Sequence, residues 1–547
     1  MPRFREPKQD RKQVWLFPPS LEELVPQDSE VRLLDEAMDQ MDWSKLEDCY
    51  SEIGRPAYSP RILSKVLVYA YSKGVRSSRR IEEMVANDVR FMWLSEGERP
   101  DFHTIARFRK EKLGELSSLF VESVRLCARA GLVLLKAVAV DGTKLRADVS
   151  SSSMYSVEQL SGEIAAIERI LREAEEVDCQ EDQLYGESNG RELPEEMKEA
   201  ASRHQKLVDL ACRMREEGRK SISETDPECR LMRSGEVVRP SYNVQVAVDS
   251  SYQVIVAADV TTAEADYEQL PGVLEQVKEN VGISPDVVLA DAGYSSESTL
   301  KALDADGQEA LIPASGRPRR AKGNTQFSAE RFVGNQERDV LICPCGKELC
   351  FMRENRKGGG TYRVYAATGC RGCRYYRQCI PSGKASRVVN VSVIADLRRK
   401  MRERLASEGG RKLFSLRKTT VEPVFGQIKH NAGFDRFGLR GLNGALAETY
   451  LVTAAHNVMK WVSARSRRLF SWLCPKQSQI RAHGTTLRAQ QLTGAQRCFE
   501  TASWMCRTIK SLSSQLSAMP PRPASCFPNP KPASFTAMPN GVCWHNT

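Results

Sequence analysis

Three carboxylates in this chain stand where they could carry out phosphate chemistry. Asp141 follows the apolar, β-branched run LVLLKAVAV and opens the Asp-Gly of VAVDGTKLRA, Asp291 ends the run of VVLADAGYSS, and Glu422 lies in TTVEPVFGQIKHNAGFDRFGLRG. Two Asp at strand ends and one Glu on a packed helix offer the oxygen-only, acidic ligands that hard divalent cations prefer, with Mg²⁺ the natural ion. Two such ions about 4 Å apart activate an attacking oxygen and stabilise a leaving oxygen in an in-line displacement at phosphorus. Each residue alone has a plainer role, since Asp after a strand is a common turn former and most helical Glu are simply solvated. Spacing by itself does not join the three.

The elements that would position them are legible. Thr420 is expected to cap a helix opened by Val421 and Glu422, with Pro423 in its first turn, where a missing N–H costs nothing. At 100° per residue Val421, Val424, Phe425 and Ile428 share one arc, while Glu422, Gly426 and Lys429 share the next. Asp141 is expected at the end of a buried strand. YNVQVAVDSSYQVIVAADVTT reads as a hairpin, a helix follows over about 267–280, and a second buried strand ends at Asp291. Together these describe a mixed α/β layer with carboxylates at the C-terminal ends of strands.

Before that layer, 16–128 reads as helical and basic. Ser59 caps a helix with Pro60 at its first position and Gly74 as its stop, a second helix starts at Ser78, and Arg107, Arg109, Lys110 and Lys112 crowd a third. This pattern suits either a helix-turn-helix-like DNA binder or an ordinary helical bundle. An acid-rich helical hairpin is expected over about 155–218. The 547-residue chain carries a formal charge of +10, yet its acids concentrate between about 157 and 226, leaving the remainder distinctly basic and suited to a polyanion. No stretch reads as a signal peptide or membrane span, so a soluble, intracellular protein is expected. No Walker-type loop is present, and none of the six His pairs with another at metal-ligand spacing.

Of 16 Cys, six fall between 343 and 379. Cys370 and Cys373 have the two-residue spacing with which one turn presents two thiolates to Zn²⁺. Cys343, Cys370, Cys373 and Cys379 form the clearest set of four, although Cys345 and Cys350 compete for the first half-site; the alternative is a reduced, metal-free insertion. After Pro475 only Glu500 is acidic, and MPPRPASCFPNPKPASFTAMPNG is too rich in Pro and Ser to build a core.

Taken together, VAVDGTKLRA, TDPECRLM with PSYNVQVAVD, VVLADAGYSS and TTVEPVFGQIKHNAGFDRFGLRG resemble the DDE transposases of bacterial insertion sequences. GRPAYSPRILSKVLVYAYSKGVRSSRRIEE and RPDFHTIARFR resemble their helical N-terminal domain. The resemblance spans about 14–463. It implies an RNase H-like mixed sheet with flanking helices over 129–463, preceded by an all-α N-terminal DNA-binding domain and interrupted by the acidic helical insertion and a Cys-rich insertion over about 335–385. Residues 1–15 are expected to be flexible and 464–547 disordered.

The resemblance also implies that Asp141, Asp291 and Glu422 hold two catalytic Mg²⁺ or Mn²⁺ ions. Members of this family often carry Tyr and Arg upstream of the Glu and Lys downstream; here Lys429 is present, but Phe414, Arg417 and Lys418 occupy the upstream region. Arg417 and Lys429 are therefore expected to position phosphates, with Lys144, Arg436, Arg440, Arg107 and Arg109 as further DNA contacts. The implied partner is double-stranded DNA, both element ends and target, bound by at least a homodimer, and the implied location is the bacterial cytoplasm at the nucleoid. Rival readings are a catalytically inactive DNA-binding repressor and an RNase H-like nuclease that cuts without joining.

Overall fold

The computed structural model describes residues 20–48, 50, 57–185, 195–314, 327, 331–335, 338–357, 360–380 and 382–473. The expected flexible N-terminus at 1–15 and most of the expected disordered tail, 474–547, lie outside these residues.

Eight helices come first: α1 Leu21–Leu24, α2 Glu30–Asp39, α3 Ser44–Glu47, α4 Pro60–Ser72, α5 Ser78–Asn87, α6 Val89–Leu94, α7 Phe102–Glu111 and α8 Leu113–Arg129. The α4 start follows its sequence signals, because the Ser59 side chain accepts from Ile62 N at 3.5 Å with Pro60 in the first turn. Gly74 then ends the segment at φ +72°, where a side chain would be strained. These helices do not bury a core of their own. One continuous core runs from Val25 through Phe120 to Val462, because α2, α4 and α8 pack on α16, Gly441–Leu473. That last helix continues past the boundary expected at 463.

The central sheet contains β1 Val138–Arg146, β4 Arg230–Ser234, β5 Val237–Asp249, β6 Ile255–Thr261, β7 Val288–Leu289 and β8 Ala310–Leu311. Strands run β6-β5-β1-β7-β8, with β4 paired to the start of β5; the β6-β5-β1 pairings are antiparallel and the β1-β7-β8 pairings parallel. α11 Gln269–Val281 and α12 Glu297–Ala305 connect its later strands. Val138, Val140, Val246, Val248, Val256, Val288 and Leu289 are buried, as strands covered on both faces require.

Two further units interrupt this layer. β2 Met154–Ser156 and β3 Ser221–Ser223 pair at the base of the long helices α9 Val157–Tyr185 and α10 Glu195–Glu216, whose small core holds Leu160, Ile167, Leu207, Leu210 and Met214. Between β8 and the last helices lies an antiparallel five-stranded sheet: β9 Val333–Asn335, β10 Val340–Ile342, β11 Glu348–Lys357, β12 Gly360–Ala367 and β13 Val388–Ser392, with the short α13 Tyr376–Cys379. The chain then passes through α14 Ala395–Ala406 and α15 Glu408–Gly426.

Two expectations need correction. Asp141 lies within β1 rather than at its end, because pairing with β5 continues to Arg146 opposite Ser241. Thr420 is not a cap and Pro423 is not in a first turn: α15 is capped by Ser407, whose side chain accepts from Gly410 N at 3.0 Å, and carries both residues inside it. Proline cannot bond the carbonyl four residues back. Thr419 O instead accepts from Gln253 Nε2 at 3.0 Å, and the helix passes into a π turn over Gln427–Asn431.

Candidate active site

The parallel pairing of β1 with β7 sets Val138 against Val288 and Ala139 against Leu289. Counting on in that register brings Asp141 level with Asp291 on neighbouring strands. Asp291 leaves β7 and caps the short turn Ala292–Tyr294, its Oδ1 accepting from Gly293 N at 2.7 Å. Asp141 Oδ2 accepts from Arg417 Nη1 of α15 at 2.9 Å, with the two side chains only 21% and 16% exposed. Burial pushes the Asp141 carboxyl up to about 6; Arg417 opposes that rise and the Asp291 charge adds to it.

A third aspartate, unmarked by any sequence pattern, joins them. Asp266 lies in the loop after β6, and its Oδ1 accepts from Asn243 Nδ2 and Gln245 Nε2, each at 2.7 Å. Tyr294 donates its hydroxyl to Gln245 Oε1, and its phenol is raised well above the usual range by burial and then by Asp266, Asp141 and Asp291. Two glycines make room for these groups. A Cβ on Gly142 would lie 2.6 Å from Gln245 Nε2 and 2.7 Å from Asp266 Oδ1; one on Gly293 would lie 2.8 Å from Asp291 Oδ1 and 3.4 Å from Asp266 Oδ2. The only advance signal was Asp266 itself, standing shortly after a strand.

Glu422, between Arg417 and Lys429 in sequence, presents its side chain to solvent. It is exposed on α15 beside the buried Val421, and among the described residues it makes no hydrogen bond or ion pair. Lys429, by contrast, reaches the site: its Nζ donates to Thr143 Oγ1, two residues beyond Asp141. Burial lowers the Lys429 ammonium, while Asp435 and Asp141 raise it.

The expected DNA contacts divide in the same way. Arg107 is exposed and Lys144 half-buried. Arg436 and Arg440 both hold Asp148, at 2.7 and 3.2 Å, with the guanidinium groups still about half exposed at 46% and 56%. Arg109 does not fit the expectation. At 6% exposure it donates to Tyr71 Oη at 3.0 Å, to Arg76 O at 2.7 Å and to Ser78 Oγ, so it braces the helical core and presents nothing to a phosphate.

Among the described residues no three His, Cys, Asp or Glu side chains already stand as a ready metal cage. The oxygen-only donors of Asp141, Asp266 and Asp291, with glycine clearance between them, nevertheless suit a hard divalent ion once Arg417 releases Asp141. In the small sheet, Cys343, Cys345, Cys370, Cys373 and Cys379 line one cavity of about 30 Å³, whereas Cys350 is exposed and does not line it.

Residues 342–462 match the transposase DDE domain family, and residues 19–111 match the transposase domain family DUF772. The first match contains Arg417, Glu422, Lys429 and the four expected zinc ligands; Asp141 and Asp291 lie outside both. Both matched segments are therefore of transposase type, a DUF772 transposase domain near the start of the chain and a transposase DDE domain towards its end. No curated protein matches it. A cryo-EM structure of a piggyBac transposase synaptic complex with hairpin DNA is similar at 11% identity and a TM-score of 0.30, over 84% of this chain and 82% of that one, a likeness too slight to transfer any feature.

Proposed function

We propose that this transposase binds the terminal inverted repeats of its own element as double-stranded DNA, cleaves at their ends and joins the freed 3′ hydroxyl to target DNA. The observation that carries this reading is the pairing that sets Asp141 level with Asp291, with Arg417 and Lys429 brought to the same place from the segment that follows. An RNase H-like assignment is supported by the strand order β6-β5-β1-β7-β8, antiparallel through β1 and parallel after it.

Bound Mg²⁺ or Mn²⁺, two ions in this reading, supplies activation of the attacking oxygen and stabilisation of the leaving oxygen. Asp141 and Asp291 would hold the ions, and Glu422 would turn in from α15 to complete the set. Arg417, on leaving Asp141, and Lys429 would position the phosphate on either side of the scissile bond. Arg107, Lys144, Arg436 and Arg440 would add backbone contacts, with α1–α8 as the part that grips the ends. Cutting two ends together calls for at least a homodimer. Among the described residues no helix is long and apolar enough to cross a membrane, and action on DNA in a bacterial cytoplasm follows from the reading.

One observation favours a second reading, a DNA-binding repressor without cleavage: the Glu422 side chain is exposed and, among the described residues, bonded to none of the groups around the aspartates. The two separate on a supercoiled plasmid carrying the element's two ends, incubated with Mg²⁺ and protein. Cut and joined products at the repeats support transposition, binding without cutting supports the repressor, and cutting without joining supports a nuclease.

A further inference from the structure

We propose that Cys343, Cys370, Cys373 and Cys379 hold one structural Zn²⁺ that fastens the five-stranded unit between β8 and α14. This inference does not rest on the catalytic reading.

Among the described residues the unit has little else to hold it. Its core is small, built on Phe332, Leu341, Leu349, Tyr365, Ala367, Ile380 and Val389, and β11 leaves Phe351 and Met352 in solvent. Folds with so little buried apolar surface commonly need a metal or disulfide to close. The thiols lie where a metal would close this one. Cys343 follows β10 and opens a tight turn through Gly346, φ +80°, with Gly346 N donating to Cys343 O and Cys343 N to Lys347 O, both at 2.8 Å. Cys370 and Cys373 flank a single 3₁₀ turn, and Cys379 closes α13.

Two of the sulfurs already accept backbone N–H groups, Cys343 Sγ from Lys347 at 3.3 Å and Cys370 Sγ from Arg387 at 3.4 Å. Charge is also provided for. Four thiolates around one divalent ion leave a net negative site, and Lys347 and Arg387 both line the same cavity. Its volume of about 30 Å³ leaves room for a single ion, and contraction to the roughly 2.3 Å Zn–S distance would draw the sulfurs inward.

The fold also decides which half-site is used. Cys350 is excluded by its exposure on β11. Cys345 lines the cavity and lies against Cys343 and Cys373, but it is exposed, whereas the less exposed Cys379 lies against Cys370, Cys343 and Cys373; Cys345 is the fifth thiol, at the mouth. Held this way, the unit fixes where the chain leaves β13 for α14 and α15, the helix that carries Arg417 and Glu422. It is also tied to α12, the helix that follows Asp291, at Thr361, whose N–H donates to Glu297 Oε2 at 2.6 Å in the first turn of that helix.

The test is metal analysis of the full-length chain purified without chelator, wild type beside single Cys→Ser variants. About one zinc per chain is expected, retained in Cys345→Ser and Cys350→Ser and lost in Cys343→Ser, Cys370→Ser, Cys373→Ser and Cys379→Ser. Because ligand variants can also lose metal by misfolding, wild type is loaded with Co²⁺, and the visible spectrum of tetrahedral four-sulfur cobalt is expected. Wild-type protein with no bound zinc and no such spectrum, or with a Cys345–Cys373 disulfide in its place, overturns the proposal. Loss of zinc from Cys345→Ser with retention in Cys379→Ser overturns the ligand set.

Discussion

Arg417 on α15 and Asp141 on β1 form an ion pair of 2.9 Å that closes the candidate site with a cation of the chain's own. The guanidinium occupies one of the carboxylate oxygens that an ion would need, while Arg417 Nε is buried without a partner. Binding of a divalent ion must therefore displace Arg417, which then becomes free for a phosphate. For a partly buried pair this competition is worth on the order of 1 kcal/mol. Arg417→Gln should bind Mn²⁺ about three- to tenfold more tightly in the absence of DNA, and bind end DNA more weakly. Calorimetric Mn²⁺ titration showing equal or weaker binding would reject the competition.

Gly142 provides the sharpest steric test. A Cβ there meets the ends of the Gln245 and Asp266 side chains, not backbone, so the fold can accommodate it by moving those groups. Gly142→Ala should cost about 1–3 kcal/mol in urea unfolding, the usual price of overpacking. Cleavage should fall at least about tenfold while DNA binding is kept. A variant with undiminished cleavage would mean that the Asn243, Gln245 and Asp266 arrangement is not used.

The exposure of Glu422 separates its role in stability from its role in chemistry. Glu422→Gln should leave metal-free stability within about 0.5 kcal/mol of wild type, as for an unpartnered surface group. If Glu422 turns in to complete the metal set, cleavage should fall by about two orders of magnitude or more. Should Glu422→Gln cut normally while Asp266→Asn does not, the third carboxylate is the one the fold already gathers.

What could be read from the sequence followed the range of each signal. Local chemistry marked the α4 cap, the β5–β6 hairpin and the two runs that bring Asp141 and Asp291 to neighbouring strands. Long-range partners left no such mark. Asp266 is recognised only through Asn243 and Gln245 on another strand, and Arg109 looks like its exposed neighbour Arg107 until Tyr71 and Ser78 are seen to enclose it. Pro423 misled for the same reason: its orphaned Thr419 carbonyl is satisfied by Gln253, far away in sequence, so a helix could run through a position where local rules predict a start.

Arg109 and Arg107 should accordingly behave as opposites. Arg109→Met removes donors from Tyr71 and Arg76 O, close to the buried Glu448 to which Tyr71 donates at 3.3 Å. A loss of about 2–4 kcal/mol in urea unfolding is expected, with the salt dependence of DNA binding unchanged in the protein that remains folded. Arg107→Gln should unfold like wild type, yet lower the slope of log affinity against log salt by about one. Equal salt slopes for wild type and Arg107→Gln would remove Arg107 from the DNA surface.

His456 links pH to the same region. Its Nε2 donates to Gln253 O at 2.8 Å, and burial holds the imidazole down at about 4, below its ordinary 6.5. Between those values the unfolded chain binds more protons than the folded one, so stability is complete above about pH 6.5 and falls as the pH drops towards 4. The loss from this residue should be about 1–3 kcal/mol, and His456→Gln should flatten that part of the stability curve. Gln253 is also the residue whose side chain satisfies Thr419 O and accepts from Lys460 Nζ at 2.9 Å. Protonation of His456 should therefore loosen α15 next to Pro423 before the whole chain unfolds. Amide exchange on that helix should quicken on acidification in wild type and not in His456→Gln; the same quickening in both would place the acid-sensitive group elsewhere.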